Sequence, residues 1–260
     1  MRTGEHPTRR QDPPLPYQPV APRQRLSWRE AVLLSWYQLR LLNGWLFFLM
    51  LLGFLAAGLI FWIWLRWSGP QGVSLALTLS RFVLESGAGL LAGVLSSALV
   101  AGDPLLEVSM ATRGGVFSLL LWRGLLTFII LLCCSAAYLA WTLFNGLSYA
   151  HQQNPLFFWL LWLAPVLLLG LLGLGGSLAT RNAALGLVIA ALPLMGELFF
   201  HGYLLPIQGT HPFFIPYTIW QADAPDWWLN RLTLLALALL LAAWCWWWLK
   251  GEERLLSDAR

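Results

Sequence analysis

The chain has 260 residues, of which 58% are hydrophobic and only 11% charged, and its mean hydropathy is +0.66. A water-soluble domain carries about 25% charged residues, so a soluble globular enzyme is excluded and an integral membrane protein is indicated. The net charge of +4 does not read as a nucleic-acid-binding surface, because the basic residues do not gather on a polar, foldable segment.

Residues 1–26 open the chain with six prolines before residue 23, several arginines and little to bury. This composition predicts a disordered Pro/Arg-rich cytoplasmic tail. It lacks the apolar core of a cleaved signal peptide. Order is expected from Ser27-Trp28-Arg29-Glu30, a capping box in which Ser27 and Glu30 satisfy each other's helix-end donors. The helix that follows, 27–42, sets Trp28, Val32 and Trp36 along one stripe, with Arg29 and Arg40 beside it. That pattern suits a helix lying at the membrane interface, its arginines against lipid phosphate.

Apolar runs of about 20 residues, enough for a hydrocarbon core of about 30 Å, follow near 43–65, 79–101, 116–143, 156–179, 183–203 and 229–249. The third run is long enough to include a cytosolic or interfacial turn. The separation of the fourth and fifth rests only on Thr180-Arg181-Asn182. With an even number of spans both termini share one side. Counting Lys and Arg makes that side cytoplasmic: Arg113, Arg181, Lys250, Arg254 and Arg260 join the arginines of residues 2–40 there, with Arg123 just inside it. The other side keeps Arg66 and Arg231, with Arg81 in or near the second span. The plasma membrane is the expected location. Most of the 17 tryptophans fall at span ends, as aromatic belts do. Cys133, Cys134 and Cys245 lie within spans and form no disulfide or metal pattern.

Two polar interruptions stand out. Between the second and third spans runs Asp103-Pro104-Leu105-Leu106-Glu107-Val108-Ser109-Met110-Ala111-Thr112-Arg113-Gly114-Gly115. Asp103 suits an N-cap, Pro104 the first helical position and Gly114-Gly115 the stop. A rod of roughly 15 Å results. Between the fifth and sixth spans, 204–228 holds Pro206, Pro212, Pro216 and Pro225, yet is aromatic and uncharged until Asp223. Its prolines forbid one continuous helix, and its apolar character predicts short helices dipping back into the membrane. Residues 250–260 read as a short charged cytoplasmic tail.

Within the spans, Arg81 and Glu85 are four apart, as are Glu197 and His201. Such spacing puts each pair on one helical face, and ionisable groups in a bilayer are functional candidates by default. The sequence reading pairs Arg81 with Glu85 and offers all four as candidate pathway or gate residues. No GxxxxGK[ST] loop is present, and the only lysine is Lys250. No catalytic or metal site is expected in this chain, and no cofactor bound by it.

Taken in order, these elements resemble the permease subunit of ABC-2 type ABC transporters over residues 27–256. In that family the turn after the second span often reads E-x-L-L-x-T-P; here Glu107 opens it, and Arg113 replaces the proline. The resemblance implies an all-α integral membrane protein: an interfacial helix 27–42, six transmembrane helices within 27–249, a cytosolic coupling helix between spans 2 and 3, and a re-entrant segment between spans 5 and 6. It implies a second permease copy or paralogue as partner, and a separate cytosolic ATPase that supplies ATP and Mg. Asp103, Leu106, Glu107, Met110 and Arg113 would seat against that ATPase, and export would follow. An alternative resemblance, to CPBP-type intramembrane proteases, rests on Gly196-Glu197-Leu198-Phe199-Phe200-His201 against EExxxR. Gly196 stands in place of the first Glu and His201 in place of the Arg. A structural membrane subunit with no transport path, and a secondary transporter, are the remaining classes; the latter would need an internal repeat.

Overall fold

A computed structural model describes residues 44–67, 69–99, 116–149, 155–221 and 223–258. The interfacial helix expected at 27–42, with Trp28, Arg29, Val32, Trp36 and Arg40, lies outside these residues. So does the segment 103–115, where a coupling helix is expected, with Asp103, Leu106, Glu107, Met110 and Arg113.

Among the described residues the chain is all-helical. Helix α1 spans Gly44–Trp67. Helix α2, Gly69–Phe82, passes through a π-helical turn, Val83–Gly87, straight into α3, Ala88–Ser97, so the three form one rod. Then follow α4 (Val116–Phe144), α5 (Pro155–Thr180) and α6 (Ala183–Leu204). A 3-10 helix, Gln208–Phe213, and the single turn α7, Tyr217–Trp220, precede the final helix α8, Trp227–Asp258.

Among the described residues six stretches are long and apolar enough to span a bilayer: Phe47–Trp67, Gly72–Ser97, Leu120–Phe144, Phe158–Thr180, Ala183–Leu204 and Trp227–Lys250. The chain is therefore a multi-pass membrane protein. The third span, long enough to have included a turn, is one unbroken helix, because nothing between Val116 and Phe144 breaks it. The second begins earlier than its hydropathy suggests. Pro70 fits the first helical turn, while the Gly, Ser and Thr residues of 72–80 dilute the apolar signal. At the far end α8 continues through the charged stretch to Asp258, about 48 Å of helix.

The fourth and fifth spans are separated by a turn of two residues. Arg181 adopts a positive φ of 53°, the left-handed conformation that ends many helices. Asn182 then caps α6, its Oδ1 accepting from Ala184 N at 2.8 Å and Leu185 N at 3.4 Å. Two helices therefore stand where three polar residues interrupt a long apolar run.

Helix α5 is the central post: half of its most apolar window is buried, against 17% for α1 and α6. Its contacts with α3 and α6 run backbone to backbone. A Cβ on Gly173 would lie 2.3 Å from the Gly93 carbonyl oxygen, and one on Gly186 2.8 Å from that of Gly173. In lipid, where apolar burial does not drive helices together, close approach at small residues supplies the van der Waals contact that does.

Candidate functional site

The segment after α6 does not leave the bundle. Glu197 sits seven residues before the helix end at Leu204, roughly 10 Å along the axis. Its Oε2 nevertheless accepts from the backbone N–H of Ile215 at 2.7 Å. Ile215 must therefore have returned to that depth. Phe214, Tyr217, Leu161 and Trp227 bury one another around this point. Irregular backbone at such a position survives only if its polar atoms find partners, and side chains from both flanking helices supply them. Asn230 Nδ2, one turn into α8, donates to the His211 carbonyl at 2.6 Å and the Phe214 carbonyl at 2.8 Å. Trp227 Nε1 donates to Thr218 Oγ1 at 3.0 Å. The short helices expected between the fifth and sixth spans are present, and they are fastened.

A second set of bonds closes the segment on itself. His211 Nε2 donates to the Leu205 carbonyl at 2.8 Å, and its Nδ1 faces Asp226 Oδ2 at 2.6 Å. Tyr217 donates its hydroxyl proton to Asp226 Oδ1 at 2.6 Å. Both ring nitrogens of His211 thus face acceptors, and only the imidazolium can donate to both. The Leu205 carbonyl, followed by the Asp226 carboxylate, accordingly raises the His211 pKa above its usual value. Burial disfavours the Asp226 carboxylate, but the bonds from Tyr217 and His211 outweigh it and hold that group below its usual range. Burial, reinforced by Asp226, pushes the Tyr217 phenol up.

Deeper in the bundle lies the bond that ties three elements together. Arg231 Nη2, on α8, donates to Glu85 Oε1 at 2.7 Å, and both side chains are fully buried. The same guanidinium donates to the Thr218 hydroxyl on α7, reaches the Ile215 carbonyl at 3.5 Å and lies 5.6 Å from the Trp227 ring centroid. Glu85 falls in the π-helical turn. Such turns insert an extra residue into the helical register, often at functional positions. The pair carries two charges out of water at a cost that only close bonding offsets.

This arrangement corrects the pairing read from sequence. Glu85 does not pair with Arg81; its carboxylate turns to Arg231, 146 residues away. The π-turn breaks the plain i, i+4 register between positions 81 and 85, and a fully buried guanidinium needs a carboxylate more than the half-buried Arg81 does. Glu197 and His201 also part company. Glu197 holds Ile215, whereas the His201 ring stacks on Trp220 at 4.2 Å and 4°, its Nδ1 donating to the Leu198 carbonyl at 2.9 Å. Sequence reasoning missed Asn230 and placed Arg231 among charges left outside. The available signal was that Asn230-Arg231 stands alone inside an otherwise apolar run.

The bonds these groups make run to the chain's own backbone and to each other and fasten a folded-back segment to the bundle, while Glu85 Oε2, Asn230 Oδ1 and Arg231 Nε are buried with no partner among the described residues. Fold and site together define a polytopic membrane protein with a folded-back, polar-latched segment before its last span. Comparison with protein-family models, with curated proteins and with solved structures gave no match.

Proposed function

We propose that this chain is the membrane-spanning permease subunit of an ATP-driven ABC transporter of the ABC-2 type, acting as an exporter at the plasma membrane with both termini cytoplasmic. The observation that carries the reading is the latched 205–226 segment between the fifth and sixth spans. It accompanies the six-span count, the polar Asp103–Gly115 turn after the second span and the lack of a nucleotide-binding loop in this sequence. ATP and Mg are bound by a separate cytosolic ATPase subunit. The Asp103–Arg113 turn receives its motion, Glu107 and Arg113 making the polar contacts. A second permease copy or paralogue completes the path. Closure of the ATPase pair pushes that turn, and the second span transmits the push along the rod that contains Glu85. The Glu85–Arg231 bond passes it to α8 and the re-entering segment.

Charge reversal tests the coupling step. In the reconstituted complex, Glu107→Lys or Arg113→Glu lowers substrate-stimulated ATPase activity while membrane insertion stays normal. Undiminished coupling in both variants would withdraw the turn from this role.

A further inference from the structure

Between α1 and α4 the bundle leaves an apolar cleft of about 840 Å³, within the roughly 300–1,000 Å³ of small-molecule sites. One wall runs from Leu51 to Trp62, the other from Cys133 to Trp141. Gly58 keeps it open: a Cβ there would meet only the Trp141 indole, at 3.8 Å. From Leu51 to Trp62 the wall is about 16 Å long, close to half of a hydrocarbon core about 30 Å thick.

Its position matters as much as its length. The Trp62–Trp141 end lies near the termini of both helices, Trp67 and Phe144, where the aromatic residues Trp64 and Trp67 also stand. The opposite end reaches the middle of its span on α4, at Cys133, and passes the middle on α1, where Leu51 lies four residues into the span Phe47–Trp67. One turn beyond Trp62 is Arg66, exposed, with its guanidinium 5.8 Å from the Trp62 ring centroid. The cleft therefore runs from a cation at the interface inward to mid-depth along α4 and somewhat beyond it along α1, room for the length of one acyl chain entering from that side. Guanidinium groups bind phosphate in bidentate fashion. We infer that the cleft seats one acyl chain of a phospholipid whose phosphate pairs with Arg66. This site is independent of any transport path, and it takes a lipid of the leaflet opposite to the one holding the chain termini.

The full-length chain, reconstituted in phosphatidylethanolamine–phosphatidylglycerol vesicles, tests this with a trace phospholipid carrying a photoactivatable diazirine in its acyl chain. Peptide mapping after illumination should concentrate adducts on residues 51–62 and 133–141, severalfold above the exposed apolar face of α6 around Leu192 and Phe199. Gly58→Trp, which fills the cleft, should lower those adducts severalfold and leave the α6 background unchanged. Arg66→Gln, an exposed change that cannot unfold the bundle, should lower them as well. Equal labelling of both faces in the wild type would overturn the inference, as would labelling indifferent to both substitutions. Cys133 is exposed, so a bismaleimide that joins Cys133 residues of two copies in the same vesicles would also overturn it. The cleft would then be covered by a second chain.

Discussion

Removing Arg231 should expose how much the buried latch holds. The guanidinium and the Glu85 carboxylate are 2.7 Å apart, with neither side chain accessible. Unit charges about 4 Å apart attract by about 4 kcal/mol at an effective dielectric constant of about 20. Truncating one partner of such a pair strands the other, which costs about 3–5 kcal/mol. Arg231→Met should accordingly lower the apparent unfolding midpoint in detergent by on the order of 10 °C, and Glu85→Met should do likewise. The double variant, with no charge left to bury, should recover most of the loss, since apolar replacements of buried pairs are often neutral. The assay is thermal unfolding followed by size-exclusion chromatography at one fixed heating schedule, because membrane proteins unfold irreversibly and such midpoints depend on rate. A double variant no more stable than either single would refute the coupling. So would an Arg231→Met midpoint equal to that of the wild type.

Three further outcomes follow from the same geometry. The raised His211 pKa means that its contribution is fully present below the ordinary value of 6.5 and lost as pH rises through the higher folded value. Asp226, held low, contributes above 3.8 and loses that contribution as pH falls through its lower folded value. Stability measured against pH should thus decline on the alkaline side, and His211→Gln should flatten that decline; identical pH profiles would remove the imidazolium from the latch. Gly173→Ala drives a methyl into the Gly93 carbonyl and should cost about 1–3 kcal/mol, whereas Gly196→Ala, inside α6 with open space around it, should raise the midpoint slightly, alanine being favoured over glycine in a helix by about 0.5–1 kcal/mol. Glu197→Gln keeps an acceptor for Ile215 N–H and should alter transport while preserving assembly; Glu197→Leu leaves that buried donor unmet at about 1–3 kcal/mol and should also destabilise, as unfolding midpoints of the two variants would reveal.

The spans were legible because bilayer thickness imposes their length. The run read at 183–203 is the helix Ala183–Leu204, and that read at 156–179 lies within Pro155–Thr180. The start of the second span was not, since hydropathy averages away the Ser and Thr residues that α2 accommodates. The proline spacing of 204–228 announced short helices but not what holds them. Partner choice is where local reasoning failed. Spacing along one helix offered Arg81 to Glu85, yet the chain brings Arg231 to it from the last span through a π-helical turn that no periodicity reveals. The His211–Asp226 contact is equally non-local in its cause, depending on how Asn230 and Glu197 draw the segment back.

The most direct test of the account is mild-detergent purification of this chain from its native membrane, with mass spectrometry of whatever accompanies it. A stoichiometric ATPase carrying a GxxxxGK[ST] loop is the result the account predicts. An intact complex with no such ATPase would contradict it, leaving a membrane subunit without a motor.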